Sequence, residues 1–152
     1  MKLAKTLSAF ALVFSSQFIA ADITRDKDLT IEKLTTDISL GWGMDYLNNK
    51  TLLITSREGQ LFQYDFDTHQ KMEIQDLPED ILVEGQGGLF DVKHAPDFDK
   101  TGWIYFSYAK DVDGKGATTL ARAKLDNNKL IDWQELLVTP HSKGNRGHQL
   151  SL

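Results

Sequence analysis

The strongest constraint on the fold is the alternation of short apolar runs with turn-forming residues from Leu29 onward. No apolar stripe with helical spacing reaches a useful length, so the pattern predicts an all-β fold. Gly, Asn and Asp separate the runs, and these residues suit tight turns because they tolerate positive φ. The predicted strands are Leu29–Thr35, Leu40–Leu47, Thr51–Ser56, Gln60–Phe66, Lys71–Gln75, Leu89–His94, Trp103–Ala109, Thr118–Leu125 and Trp133–Thr139.

The strands after the first one form a repeat. They divide into two sets of four that begin about 50 residues apart, which is the spacing of four-stranded β-propeller blades. The first strands of the two sets each place an aspartate after an apolar residue, in Met44-Asp45 and in Phe90-Asp91. The second strands are apolar on both faces, and stacked blades supply the cover that such strands need. The sequence therefore predicts a β-propeller of which this chain holds about two blades.

The N-terminus has the three-part plan of a secretory signal peptide over residues 1–21. Lys2 and Lys5 provide a basic start, an apolar run extends from Leu7 to Ala20, and Ile19-Ala20-Ala21 ends it with small residues. An N-terminal membrane anchor is the alternative, but a run this short cannot span roughly 30 Å of hydrocarbon as a helix. The pattern predicts an exported protein, periplasmic or secreted.

The remaining residues are predicted to form two parts. Residues 22–37 form an N-terminal segment that contains Leu29–Thr35, a candidate strand for closing a propeller ring by pairing with a last blade. Residues 38–152 form a partial propeller domain, because a complete ring needs at least four blades. No segment after the signal is long and apolar enough to predict a membrane span.

The composition excludes several classes of function. The sequence has no cysteine, which removes disulfides, thiolate metal sites and cysteine nucleophiles. A net charge of −5 without clustered Lys and Arg argues against a nucleic-acid partner. With 41% hydrophobic and 10% aromatic residues, the chain has enough apolar surface to build a core without disulfides.

A set of motifs in a defined order resembles one enzyme family over about residues 38 to 149. The motifs are Gly41-Trp42-Gly43-Met44-Asp45, Leu53-Ile54-Thr55-Ser56-Arg57 with Gly59, Glu84-Gly85-Gln86-Gly87-Gly88-Leu89, Ala95-Pro96-Asp97-Phe98 and Ile104-Tyr105-Phe106-Ser107-Tyr108. Singly these motifs are weak, but as an ordered set they are specific. The chain resembles the N-terminal portion of the soluble, PQQ-dependent glucose/sorbosone dehydrogenases, also called aldose sugar dehydrogenases.

The resemblance implies a six-bladed propeller that binds pyrroloquinoline quinone (PQQ) and Ca²⁺ and oxidises the C1 hydroxyl of an aldose sugar to a lactone. In this family a histidine takes the hydroxyl proton while hydride passes to the quinone. The contacts to cofactor and metal come mostly from later blades. This chain alone is therefore not expected to bind PQQ or Ca²⁺, and no metal-binding residue is predicted in it.

Gln86 matches a glutamine that lies at the sugar site in the family's glycine-rich segment. A carboxamide both donates to and accepts from a hydroxyl, which suits sugar binding. The alternative is that Gly85, Gly87 and Gly88 make a turn into a central strand on which Gln86 is simply exposed.

His148 is the candidate general base. In relatives the corresponding loop continues with small residues and an arginine, whereas here Leu150 follows and the arginine is missing. The alternative is a solvated residue near a chain end, since termini are usually frayed.

The remaining polar groups do not form a convincing site. His69, His94 and His141 are scattered, which favours surface or structural roles over metal binding. The run Asp111–Gly116 faintly resembles a calcium loop, but Lys115 occupies a ligand position, so a hairpin connection is favoured.

Three functional hypotheses follow from the sequence. The first is a fragment of a sugar dehydrogenase that is inactive by itself. The second is a complete short exported binding module that assembles with copies of itself, since three copies of two blades would make a six-bladed ring. The third, an enzyme with other chemistry, requires a catalytic constellation that the sequence does not display, and no serine-hydrolase or phosphate-loop signature is present.

Overall fold

The computed structural model describes residues 31–35 and 37–140. Nearly all of these residues belong to the compact unit Lys33–Leu152. They contain two antiparallel four-stranded sheets in which each strand pairs with the next along the chain. The first sheet comprises β1 Gly41–Asn48, β2 Thr51–Ser56, β3 Gln60–Asp65 and β4 Gln70–Ile74. The second comprises β5 Leu89–His94, β6 Trp103–Val112, β7 Lys115–Asp126 and β8 Lys129–Val138.

The predicted all-β class and the division into two sets of four strands are confirmed. Strands β2 and β5 begin and end at the predicted residues. Strand β8 begins four residues earlier than predicted, at Lys129, because the β7–β8 ladder extends to the pair of Asp126 with Lys129 next to the turn. The sequence does not mark this start of β8 clearly, because turn-forming residues stand directly beside the strand.

Two local features differ from the predictions. Residues 31–35 have no regular secondary structure, so the described part of the predicted strand Leu29–Thr35 is not a strand, and residues 29 and 30 lie outside the described residues. A strand needs a ladder partner, and alternation of apolar residues does not supply one. The second difference is α1 Phe98–Thr101, a single helical turn that ends at Gly102 with φ 71°. No helix among the described residues is long and apolar enough to cross a membrane.

The connection between β6 and β7 is a tight hairpin. Val112 pairs with Lys115, so only Asp113 and Gly114 form the loop, with φ values of 54° and 75°. Positive φ at both positions is what a type I′ turn requires, and Asp-Gly is a preferred pair for it. The Asp111 Oδ1 atom accepts a hydrogen bond from the Gly114 N–H over 2.7 Å. The run Asp111–Gly116 is therefore a hairpin connection rather than a calcium loop.

The two sheets pack face to face through an apolar centre. The first sheet contributes Leu53, Leu61 and Ile74, and the second contributes Leu89, Val92, Ile104, Phe106, Tyr108, Ala121, Ala123 and Leu130. The ring of Phe106 also stacks on Trp133 with 5.3 Å between centroids. Burying a large apolar side chain contributes about 1.5–3 kcal/mol, so this centre supplies most of the attraction between the sheets.

Strands β1 and β5 meet along a polar part of the same junction. Thr55 is fully buried. Its Oγ1 accepts a hydrogen bond from the Gly43 N–H over 2.8 Å and donates one to the Phe90 carbonyl of the other sheet. A Cβ atom on Gly43 would lie 2.6 Å from the Asp91 Oδ1 atom and 3.0 Å from the Phe90 carbonyl oxygen. Only glycine allows the two strands to approach this closely.

Most of the large apolar side chains that remain exposed on the described strands lie on β1 and β8. On β1, Trp42, Met44 and Tyr46 are 44–66% exposed and alternate with the buried Gly43 and Asp45. On β8, the large apolar residues with 40–52% exposure are Ile131, Leu136, Leu137 and Val138. Exposed apolar groups in this number are unusual for a finished surface and indicate that further packing would be favourable.

Candidate functional site

The glycine-rich loop, residues Glu84–Gly88, leads into β5 at one end of the junction between the sheets. Within the loop, the Gly87 N–H donates to the Glu84 carbonyl over 2.7 Å. The segment just before it is held on β6, because the Leu82 N–H donates to the Ala109 carbonyl over 2.8 Å. Gln86 lies in the turn of this loop and is exposed.

The close packing of the loop explains its two consecutive glycines. A Cβ atom on Gly87 would lie 2.6 Å from the Leu82 carbonyl oxygen. Gly88 has φ +147°, and a Cβ atom there would lie 2.0 Å from the Arg57 carbonyl oxygen. Any side chain at these positions would therefore force the backbone apart, and a side chain at Gly88 would also be strained by its φ.

Arg57 lies on the other side of the glycine-rich loop, in the turn between β2 and β3. Its carbonyl accepts a hydrogen bond from the Leu89 N–H over 3.1 Å, and its Nη1 donates to the Gly85 carbonyl over 2.9 Å. In the sequence, Arg57 is recognisable only as part of a motif and a turn. Its contact with Gly85 spans 28 positions, and neither turn chemistry nor periodicity predicts a pairing at that separation.

The two predicted site residues have different outcomes. The exposed carboxamide of Gln86 stands where a hydroxyl group from solvent has access to both its donor and its acceptor. His148 lies outside the described residues, as does His141, so the geometry between Gln86 and His148 is not established. The sugar-binding role of Gln86 and the base role of His148 remain predictions.

A charged cluster flanks the segment before the glycine-rich loop. Lys110 Nζ lies 3.3 Å from Asp80 Oδ2 and also pairs with Glu135. The buried Tyr108 hydroxyl donates to Glu135 Oε1 over 3.3 Å. Burial and the negative charges of Asp80 and Glu135 raise the pKa of Tyr108 well above its ordinary value of 10. Tyr108 is therefore a neutral hydrogen-bond donor at physiological pH.

The described residues do not fit a metal site. None of their His, Asp and Glu side chains form a group of three or more that could hold an ion. The carboxylates of Asp80 and Glu135 both pair with Lys110, whose ammonium would repel a cation. No catalytic step through Ca²⁺ or PQQ is assigned to these residues.

Asp45 links β1 to the end of β5. Its carboxylate is only 5% exposed and accepts hydrogen bonds from the Lys93 ammonium, the His94 ring and the His94 N–H, the last over 2.7 Å. Burial acts to raise the pKa of Asp45, but the three hydrogen bonds outweigh it and hold that pKa below its ordinary value. His94 thus has a structural role. His69 also has a protein partner, since its Nδ1 lies 3.1 Å from the Tyr64 hydroxyl.

Comparison with known proteins extends this description to a family. The model of the family described as glucose / sorbosone dehydrogenase matches residues 38–151. The aldose sugar dehydrogenase YliI of Escherichia coli is 32% identical over 127 residues, which cover 81% of this chain and 33% of that protein.

Solved structures show the same fold. The soluble aldose sugar dehydrogenase of Escherichia coli in its apo-form is 30% identical, with a TM-score of 0.67, over 76% of this chain and 35% of that one. The PQQ-bound aldose sugar dehydrogenase of Streptomyces coelicolor has a TM-score of 0.63 at 22% identity, over 71% of this chain and 33% of that one. The chain spans about a third of the length of the relatives it matches.

Proposed function

The chain belongs to the glucose/sorbosone dehydrogenase family, and on this premise we propose that it is the N-terminal part of an exported, PQQ-dependent aldose sugar dehydrogenase. The whole protein would oxidise the C1 hydroxyl of an aldose to a lactone and pass the electrons to the quinone. The observation that carries the proposal is the glycine-rich loop, which presents Gln86 to solvent between two propeller blades.

In this proposal Gln86 orients the sugar. Its carboxamide donates to one sugar hydroxyl and accepts from another, while the backbone of the glycine-rich loop is fixed by hydrogen bonds to Glu84 and to β6. His148 takes the proton of the C1 hydroxyl as general base. Residues for PQQ and Ca²⁺ are proposed to come from blades outside this chain, since the described residues do not fit a cation site.

This chain by itself is proposed to be inactive. It spans a third of the length of the sugar dehydrogenases it matches, and the exposed apolar side chains of β1 and β8 would suit packing against further blades. Residues 1–21 are proposed to direct export to the periplasm or the medium, and residues 22–37 to contain the segment that closes the ring.

A second candidate function rests on the same exposed apolar side chains. The chain is then an exported module that self-assembles, and neighbouring copies cover the apolar side chains of β1 and β8. Light scattering separates the two proposals, because self-assembly predicts a discrete oligomer and a fragment predicts monomer or aggregate. Unpaired sheet edges favour aggregation, which favours the fragment.

The direct test is an activity assay with PQQ, Ca²⁺, glucose and a dye acceptor. The chain alone should show no turnover, and robust turnover would contradict its proposed inactivity. Reading the DNA beyond codon 152 in all three frames should show further blades. If no frame continues the propeller, the fragment proposal fails.

The role of Gln86 is tested in the protein that includes the further blades encoded beyond codon 152. Gln86→Ala should raise the KM for glucose about tenfold with a smaller change in kcat, since it removes hydrogen bonds that orient the sugar. Gln75→Ala, at an exposed position beside β4, is the matched control and should leave both constants unchanged. Equal KM values for the Gln86 variant and the control would overturn the sugar-site role.

A further inference from the structure

We propose that Arg57 is a positioning residue that holds the glycine-rich loop and thereby fixes where the Gln86 carboxamide stands. The inference deepens the proposed function and rests on it for the identity of the ligand, a sugar. The positioning itself rests on contacts between Arg57 and both ends of the loop, at Gly85 and at Gly88.

The backbone of Arg57 is fixed from two sides. Its N–H donates to the Leu40 carbonyl, just before β1, over 3.0 Å, and its carbonyl accepts from the Leu89 N–H, at the start of β5, over 3.1 Å. Arg57 thus belongs to the first sheet and also touches the second. These two backbone hydrogen bonds fix the position of the Arg57 Cα atom relative to both sheets, independently of the guanidinium contacts.

The side chain then reaches along the glycine-rich loop. The Arg57 Cγ atom lies 2.7 Å from the position that a Cβ on Gly88 would occupy, so its stem fills the space that the glycine leaves open. Beyond the stem, Nη1 donates to the Gly85 carbonyl over 2.9 Å. Nε is buried without a hydrogen-bond partner among the described residues. The Gly85 contact therefore lies at the far end of a packed side chain.

These contacts leave Gln86 between two restraints. On one side the charged guanidinium holds Gly85, and on the other the Gly87 N–H closes the turn onto the Glu84 carbonyl. A hydrogen bond from a charged donor is stronger than one between neutral groups, and arginine keeps its charge at any working pH. With both restraints in place, the loop is already ordered before the ligand binds, which lowers the entropic cost of binding.

Amide hydrogen exchange followed by NMR on the whole chain tests this positioning. Arg57→Met keeps the stem and removes the donor. The Gly87 amide should then exchange about tenfold faster, the factor that corresponds to losing one charge-assisted hydrogen bond, while the Leu53 amide in β2 keeps its rate. Arg57→Lys, which keeps the charge, should show a smaller increase of about threefold.

The matched control is Arg122→Met. Arg122 is also a half-buried arginine, but its guanidinium lies over the Trp103 ring, 4.1 Å from the centroid, rather than on the loop. Arg122→Met should leave the ratio of the Gly87 amide exchange rate to the Leu53 amide exchange rate unchanged. If Arg57→Met destabilises the whole fold and speeds exchange at every amide, the ratio of the Gly87 rate to the Leu53 rate is measured in Arg57→Lys instead. A ratio unchanged in both Arg57 variants overturns the proposal.

A glucose titration separates this inference from the proposed function. In the original chain, glucose should shift the side-chain amide signals of Gln86, and Arg57→Met should weaken that binding about fivefold while Arg122→Met leaves it unchanged. Faster Gly87 exchange without any glucose-induced shift would support the positioning by Arg57 and overturn the sugar role of Gln86. Unchanged exchange overturns the positioning whatever the sugar does.

Discussion

The junction between the two sheets has an apolar centre and a polar rim that differ in what they stabilise. The apolar centre, around Leu53 on β2 and Phe106 on β6, joins the two sheets through packed apolar side chains. The polar rim consists of Asp45 and Thr55 with their partners on β5. It joins β1 and β2 to β5 through directed hydrogen bonds. Asp45 and Thr55 are both buried, and their hydrogen bonds fix individual atoms of one sheet against atoms of the other.

Attraction between the sheets and their alignment therefore come from separate residues. Apolar burial is nearly non-directional, so the centre would tolerate small shifts of one sheet along the other. Thr55 and Asp45 tolerate none, because a shift would leave buried polar atoms without partners. We infer that the centre supplies most of the free energy of unfolding and the rim supplies the register of the two sheets.

The largest effect is expected in the apolar centre. Phe106→Ala removes a fully buried ring that stacks on Trp133 and should lower the free energy of unfolding by about 3–5 kcal/mol. Urea denaturation followed by Trp fluorescence measures the loss. Phe106→Leu, which keeps most of the volume, should cost clearly less, and an equal loss for both variants would show that volume at this position does not matter.

Removing the charge of Asp45 tests the polar rim. Asp45→Asn keeps the shape but removes the carboxylate charge that accepts hydrogen bonds from His94 and Lys93, and should cost about 2 kcal/mol. Asp132→Asn is the control, since its pair with Lys124 is exposed and should contribute less than about 1 kcal/mol. If both variants unfold at the same urea concentration, the rim does not stabilise the fold.

A subtler change tests alignment through Thr55. Thr55→Val keeps the volume but removes the hydroxyl that joins the Gly43 N–H to the Phe90 carbonyl, at an expected cost of about 1–2 kcal/mol. Thr55→Ser keeps the hydroxyl and should retain the amide signals of Gly43 and Phe90 in NMR spectra. Unshifted signals for both amides in Thr55→Val would contradict the role of the rim in setting register.

The smallest expected effect is a pH dependence of the rim. The pKa of Asp45 is held below its ordinary value of 3.8, so its contribution is complete above that value and is lost as the pH falls through the lower, folded pKa. The stability difference between the original chain and Asp45→Asn should therefore be constant above about pH 5 and shrink below pH 4. A difference that grows on acidification would contradict this assignment.

Much of the fold could be predicted because its signals are local. The bounds of β2 and β5 follow from apolar runs that end at turn residues, and the hairpin at Asp113-Gly114 follows from the preference of that pair for positive φ. The helical turn Phe98–Thr101 was missed because four residues are too few to show a helical period.

The candidate site could be predicted only in part. The glycines of the loop mark it as a close-packed turn, and the family resemblance singles out Gln86. The arginine that contacts the loop could not be found, because Arg57 and Gly85 are 28 positions apart and meet only after the two sheets have stacked. His94 contacts Asp45, which lies 49 positions away in the sequence, and no local pattern identifies that partner.

The eight strands of the two sheets, their grouping into two blades and the family could all be predicted from the sequence, because local patterns and ordered motifs encode all three. In contrast, two aspartates that look alike in sequence have different roles, which depend on how the two sheets stack. Asp45 is buried and pairs with Lys93 and His94, whereas the Asp91 carboxylate lies against Gly43 and accepts from the Val92 N–H. The reason is physical: burial and hydrogen bonding depend on which strand stacks on which, and no local pattern contains that information.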